Sequence, residues 1–274
     1  MQLYYQTGWS SALRLYYEVG RKAFQRSTTY KLATLTGLVV NSFFGYIHSY
    51  VFLAVYSSVL VSTVAGFSAL NAVSYTWLSQ ALITVTQVWF EKDISKTIVT
   101  GDVVSDFYKP FDYQTFWFSR FAGNSVYAAI FRAIPTYTIG IIFFGAQLPQ
   151  HLATLPLFLV SLVFSVTVSF LIGYIFNLTT FWTLNPNGVL TLGAIIQMFF
   201  SGFIVPLAYL PDWLGLLADL LPFQAIISIP AQVWLEQHTG WDILLPQIFW
   251  VLVLWFAARG VTRLASRKIT IQGG

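Results

Sequence analysis

Between Leu157 and Phe176 the chain reads LFLVSLVFSVTVSFLIGYIF, twenty residues with no charge and no alternation of polar with apolar side chains. At about 1.5 Å per residue a helix of that length covers roughly 30 Å, the thickness of a bilayer's hydrocarbon core. Backbone groups in lipid find no water, so they must bond within a helix or around a closed barrel. A barrel needs segments of roughly ten residues that alternate in polarity, and this run does not alternate. Comparable runs recur along the sequence. Only 9% of the 274 residues are charged, against about 25% in an ordinary soluble domain. The expected fold class is therefore all-α and integral to a membrane.

Six spans are expected, at about 32–55, 69–90, 113–145, 152–176, 189–207 and 243–258. Before them, residues 9–26 place Trp9, Leu13, Tyr16, Tyr17, Gly20 and Phe24 on one helical face and Arg14, Glu18, Arg21, Lys22 and Gln25 on the other. Ser10 or Ser11 would cap it. Such a helix either lies in the membrane interface or leads, solvated, into the first span; the interface reading is preferred. No secretory leader is legible ahead of the first long apolar run. The third segment is too long for one straight span, so its first turns with Arg120 are expected at the inner surface, and Pro135 is expected to kink it. Residues 57–68 and 146–151 are the outer connections and 177–188 an inner one. Segment 206–240 is apolar, but Pro206, Pro211, Pro222 and Pro230 interrupt it. DWLGLLADLL makes about 15 Å of helix, which suits a re-entrant or interfacial hairpin.

Charge fixes the orientation. With six spans, both termini and the polar loops 91–120 and 177–188 share one side, which holds every Lys and Arg except Arg132. The other side holds Asp212, Asp219, Glu236 and Asp242. The basic side is the cytoplasmic one. A seventh span through 206–240 would carry the basic tail, Arg259, Arg263, Arg267 and Lys268, to the wrong side. The pI near 9.2 thus reflects topology, and no nucleic-acid partner is expected.

The longest polar interruption is Glu91–Asp112, with five of the ten acidic residues. Gly101 is expected to end an extension of the second span and Asp102 to cap a short helix that Pro110 stops. Val103, Val104, Phe107 and Tyr108 fall on one side of that helix and Asp102, Ser105, Asp106 and Lys109 on the other. Two readings stay open: a surface turn resting on the bundle, or a knob for a soluble partner. No P-loop, H-E-x-x-H or G-x-S-x-G occurs, cysteine is absent and the three histidines are scattered, so neither a catalytic residue nor a metal site is expected.

Taken together, the basic N-terminal helix, the six spans, the loop with Gly101, Asp102, Lys109, Pro110 and Asp112, and the segment SGFIVPLAYLPDWLGLLADLLPF resemble a permease subunit of the ABC-2 type of ABC transporters. Within that type the chain is most similar to the bacterial six-span subgroup linked to drug and viologen-type export. The resemblance covers nearly the whole chain and implies one permease domain in the cell membrane, both termini cytoplasmic, with an amphipathic, drug-like or lipid-like substrate. It also implies two ATPase subunits that carry ATP and Mg, and a second permease, identical or different. It makes residues 91–110 the coupling element, through Gly101, Asp102, Val103, Val104, Asp106, Phe107, Lys109 and Pro110. Residues 9–26 become the interface helix, and 206–240 a re-entrant outer hairpin marked by Pro206, Pro211, Trp213 and Pro222. By position it nominates Asn41, Phe44, His48, Gln197, Phe199 and Phe200 for the substrate path.

Arg132 stands within a span, where an unpaired charge is expensive; an acidic partner is expected, Asp219 or Glu236, with snorkelling of a displaced third helix or a functional role as the alternatives. The hairpin is either an interfacial lid or an outer gate, and Trp213, Trp234 and Trp241 fit interfacial anchoring under both. Rival readings are a secondary transporter, for which no internal repeat or central carboxylate is seen, a membrane enzyme, and a non-transporting assembly protein.

Overall fold

A computed structural model describes residues 9–58, 63–87, 90, 92–183 and 185–272. The capping of the first helix by Ser10 or Ser11, the placement of Trp9, the residues 59–62 of the first outer connection and Glu91 of the polar loop fall outside the described side chains. The helices are α1 (Trp9–Thr28), α2 (Lys31–Ser58), α3 (Ala69–Thr86), α4 (Asp93–Thr100) and α5 (Val103–Tyr108). They continue with α6 (Tyr113–Phe144), α7 (Thr154–Leu178), α8 (Pro186–Phe200), α9 (Asp212–Leu220), α10 (Ser228–Trp234) and α11 (Leu245–Gln272). A two-residue turn, Ala65 and Gly66 at φ 49° and 81°, joins the short antiparallel strands β1 (Thr63–Val64) and β2 (Phe67–Ser68) ahead of α3.

The bundle is built around α3, in which every residue from Ala72 to Thr86 is buried. It is also rich in Ser and Thr, which would be costly in a dry interior without partners. Each hydroxyl instead turns back on its own helix: Ser74 donates to Leu70 O, Thr76 to Ala72 O, Thr84 to Ala81 O and Thr86 to Leu82 O, at 2.8–3.0 Å. Helices α2, α6 and α7 pack around it. Four helices, Lys31–Ser58, Tyr113–Phe144, Thr154–Thr183 and Trp241–Lys268, are long and apolar enough to cross a membrane.

Several boundaries differ from those expected. The second span stops at Thr86, because Gln87 turns left-handed at φ 48°. Gly101 therefore closes a separate helix, α4, at φ 82°, and not an extension of that span. The fifth is shorter than expected: α8 begins at Pro186, with the Asn185 side chain capping the Asn187 N–H, and ends at Phe200. The last helix runs on to Gln272 and carries the basic tail on its final turns. In α6 the irregularity precedes Pro135: Ala129–Ala133 form a turn of π-helix, with the Ile134 N–H reaching back to Ala129 O. A proline ring clashes with the carbonyl four residues earlier in a regular helix, and the widened turn relieves that clash.

The segment after α8 has two unlike arms. In α9, Trp213, Leu216, Leu217 and Leu220 are exposed. From Phe223 to Ala231 every residue is buried. That buried arm satisfies part of its backbone through side-chain and backbone groups of neighbouring segments. Gln247 Nε2 of α11 and Ser165 Oγ of α7 both donate to Ala225 O, at 2.8 and 2.9 Å, and the Ser228 N–H donates to Ser201 O at 3.0 Å. Trp213 and Trp241 are exposed, but Trp234 is not free for anchoring. Its ring packs at 4.7 Å against Phe158, and its indole N–H donates to Tyr137 Oη at 2.8 Å.

Candidate functional site

At the end of the bundle that gathers Lys31, Arg120 and Arg259, helices α4 and α5 form a bent projection. Gly101 makes the bend; its left-handed backbone would strain any side chain, and a Cβ there would meet open space. Asp102 does not cap α5 as expected. Its backbone is already helical, at φ −60° and ψ −23°, and its carboxylate accepts instead from Thr100 Oγ1 at 2.7 Å. Lys109 pairs with Asp106 at 2.6 Å and ends the helix in extended backbone before Pro110.

The apolar side expected for α5 is two faces. Val103 is buried, and Phe107, four residues on, stacks on Tyr113 at 4.7 Å, so this pair holds α5 to the bundle. Val104 and Tyr108, also four apart, point away; Tyr108 is 83% exposed, and Val99 of α4 is exposed beside them. The outward patch is thus Val99, Val104 and Tyr108, with Phe107 excluded from it.

The base of the projection is tied to five helices. Asp112 carries most of this: its carboxylate caps α6 by accepting the Thr115 N–H at 2.8 Å and pairs with Arg259 of α11, while its N–H donates to Tyr16 Oη of α1 at 2.9 Å. Asp93 at the start of α4 pairs with Arg120 of α6, whose guanidinium lies over Trp117 at 5.0 Å. Asn177 of α7 accepts the Ser95 N–H at 3.1 Å, and Lys92 donates to Asn187 of α8 at 3.0 Å. The contacts of α4 and of the residues flanking α4–α5 thus reach α1, α6, α7, α8 and α11. The sequence reading missed Asp93, Arg120, Asn177 and Arg259. Only Asp112 had a local signal, a cap residue three before Thr115.

Helix α1 runs along the first half of α6 and closes one side of this end. Part of its aromatic face turns inward, with Phe24 edge-on to Tyr127 at 5.7 Å, while Leu13 and Tyr17 of that face are exposed; Ser27 donates to Asn124 Oδ1 at 3.2 Å.

The residues nominated for a substrate path do not converge within the chain. On α2, Asn41 and His48 are half-buried and Phe44 is exposed, its ring 6.2 Å from that of His48. On α8, Phe199 is partly exposed, while Phe200 stacks on Phe223 at 6.2 Å. Gln197 is fully buried and faces α7: its Nε2 donates to Ser169 Oγ at 3.0 Å, and Ser169 donates to Thr86 O at 2.6 Å. That chain of bonds ties α8 to α3.

At the opposite end, Pro206, Asp212, Asp219 and Gln232 of the proline-rich segment, with Tyr75 and Phe67, line a cavity of about 780 Å³. Pro211 begins α9, and Pro222 turns the chain into the buried arm. Glu236 does not reach Arg132. It sits over the start of α7, accepting from Thr154 Oγ1 at 2.7 Å and from the His151 N–H at 2.8 Å. The expected Arg132–Glu236 pair is thereby excluded, since Arg132 lies against Gly37, near the Lys31 end of α2. Asp219 lines the cavity at the far end and is not its partner either. Among the described residues no group of three or more His, Asp or Glu side chains could hold a metal ion.

No curated protein matches the chain in sequence. A family model described as ABC-2 family transporter protein matches residues 43–273, most of the chain, which covers the polar projection, the long apolar helices and the proline-rich segment. The chain is a multi-pass membrane protein of the ABC-2 family, an ABC-2 type permease of an ABC transporter.

Proposed function

We propose that the protein is the membrane subunit of an ATP-driven exporter, moved between conformations by a separate ATPase chain that grips residues 91–110. The observation that carries this reading is the exposed Val99, Val104 and Tyr108 patch on a projection whose base is tied to five helices. An aromatic anchor on a stiff lever suits a partner whose own closure must be transmitted, and it would be poor design for a passive loop. ATP and Mg belong to that partner; this chain contributes no catalytic group and acts by favouring one arrangement of its helices over another.

In this reading the whole chain is one permease domain. Helices α3 and α8 join the four long apolar helices to make six spans, with both termini cytoplasmic. Residues 206–240 form the outer hairpin, α9 lying at the surface and the buried arm dipping back between α7 and α11. A second permease, identical or homologous, completes the route, with membrane lipid around both. An amphipathic, drug-like or lipid-like cargo fits the groove of about 580 Å³ between α2 and α6, which is lined by Phe43, Tyr46, Tyr50, Trp77 and Phe144 and open at the side. Asn41, Phe44, His48 and Phe199 remain the path nominees.

Co-purification with the ATPase and transport into vesicles test the docking. Tyr108→Ala is expected to weaken ATPase capture about tenfold or more, the usual cost of losing an aromatic anchor. Val104→Asp with Tyr108→Asp should abolish both capture and transport while the permease keeps its thermal stability. Phe107→Asp, by contrast, should lower stability itself, since that ring is stacked inside. Full capture and transport by the Val104/Tyr108 double variant would sink the docking reading.

A further inference from the structure

Arg132 is the one basic residue that the charge asymmetry does not explain, and its surroundings are peculiar. It sits in the π-helical turn Ala129–Ala133, which rotates it away from the register of a regular helix. Its guanidinium crosses α2 at Gly37, where even a methyl group would come within 2.3 Å of Nη2. Its Nε is buried and has no hydrogen-bond partner. Among the described residues it forms no ion pair, since the two outer carboxylates nominated for it lie at the other end of the bundle. An unpaired cation in a membrane protein is held at considerable cost and marks a candidate functional site.

The guanidinium borders a cleft of about 220 Å³ between the α1–α2 junction, the end of α3 and α6. Ser27, Tyr30, Thr34, Gln87 and Asn124 line it with Arg132, and among the described residues no Asp or Glu does. Most of the hydroxyls and amides there already have partners: Thr34 Oγ1 meets Tyr127 Oη at 2.7 Å, and Gln87 Nε2 donates to Ser125 Oγ at 3.0 Å. Asn124 accepts from Ser27 through Oδ1, which leaves its Nδ2 hydrogens available. The donors left over are thus Arg132, Asn124 and the Tyr30 hydroxyl, and a site with spare donors and no carboxylate among the described residues suits an anion.

Depth selects the kind of anion. Gly37 lies six residues beyond Lys31, roughly 9 Å along α2 from the basic junction, which is where headgroups give way to acyl chains. Next to it along the helices, Leu35, Ile130, Phe131 and Ile134 are exposed apolar side chains over which a chain could lie. We propose that this cleft binds the phosphate of an anionic membrane phospholipid, held by Arg132 and Asn124, with its acyl chains on α2 and α6. The proposal rests on the bundle lying in a membrane with this end at the inner leaflet, and it is independent of whether an ATPase docks on α5.

The test uses the full chain in neutral detergent, titrated with phosphatidylglycerol, phosphatidylcholine or inorganic phosphate and read by native mass spectrometry and thermal shift. The wild type is expected to bind phosphatidylglycerol about tenfold more tightly than phosphatidylcholine, the scale of one charge-assisted contact. Arg132→Gln should erase that preference and Arg132→Lys keep part of it, while Val104→Asp, distant on α5, should leave it unchanged. If Arg132→Gln fails to fold, Asn124→Asp serves instead: the carboxylate should supply the missing counter-charge, raise lipid-free stability and remove the preference. An undiminished preference in Arg132→Gln or Asn124→Asp overturns the site. A full shift from inorganic phosphate alone overturns the lipid and leaves a free-anion site. Loss of ATPase capture in Val104→Asp with the lipid preference intact would separate the two proposals.

Discussion

Gly20 of α1 and Gly123 of α6 let the two helices meet backbone to backbone. A Cβ on Gly123 would sit 2.1 Å from Gly20 O, and one on Gly20 would sit 3.0 Å from Ser119 O. Small residues are the usual means of close helix approach where lipid gives no hydrophobic drive. In an open helix Gly→Ala is stabilising, because alanine has less backbone freedom to lose. Gly123→Ala should therefore reverse the sign and cost about 1–3 kcal/mol through overpacking. Gly260→Ala in α11, where nothing lies within 4 Å, should be neutral or stabilising. Thermal unfolding of the two variants in detergent checks the contrast, and equal shifts would refute the close approach. Glu236 gives a second prediction at this scale. Hydrogen bonds from Thr154 Oγ1 and from His151 pull its carboxyl from the ordinary 4.5 down to about 2. A carboxyl lowered by folding adds stability that is complete above its unfolded value and is lost as the pH falls through the folded one. Glu236→Gln should therefore flatten the loss of thermal stability between about pH 4.5 and 2, and an unchanged acid limb would argue against the cap. Neither partnership was legible in the sequence. Gly20 could be assigned to a helical face, but its partner stands about a hundred residues away, and Glu236 looked like one outer acid among four.

At the scale of the element, the four apolar residues of α5 fall on one side by periodicity, yet periodicity cannot say which edge of that side faces inward. The i, i+4 pairs decide it: Val103 and Phe107 contact the bundle, Val104 and Tyr108 do not. The existence of the projection, its bend at Gly101 and its stop at Pro110 were legible because they are local. Its foundations were not, because each joins distant segments: Asp93 with Arg120, Asp112 with Arg259, Ser95 with Asn177. If the Asp112–Arg259 link transmits force, its two halves should behave as a unit. Asp112→Asn and Arg259→Gln should each lower stability, and the double variant should fall short of their sum by on the order of 1 kcal/mol. In vesicles with the ATPase present, each should reduce transport more than it reduces ATP hydrolysis. Additive stability losses, together with proportionate falls in both activities, would mean that the pair is ornamental.

For the whole molecule, the apolar runs made the class legible, while the number of crossings depends on two helices that composition under-describes. Helix α3 carries Ser, Thr and Gln that are buried among neighbours, so it is less apolar than the four long helices although the sequence reading placed a span there. Helix α8 has 15 residues, about 22 Å, short for a crossing on its own. The proline-rich segment is the third element that decides the count: it is apolar, but Pro206, Pro211, Pro222 and Pro230 interrupt it. The chain has no cysteine, so single cysteines placed at exposed positions report sidedness without background. Ser105, Gln150, Thr239 and Arg263 are all exposed. With six crossings, an impermeant maleimide added to intact cells should label Gln150→Cys and Thr239→Cys, and should reach Ser105→Cys and Arg263→Cys only after permeabilisation. A seventh crossing through 206–240 would exchange Thr239→Cys with Arg263→Cys and leave Ser105→Cys and Gln150→Cys as they were. The positive-inside bias opposes that exchange, since it would place Arg259, Arg263, Arg267 and Lys268 outside. So does the Asp112–Arg259 pair, because a helix whose basic turn bonds the polar projection has to end on the same side as the projection.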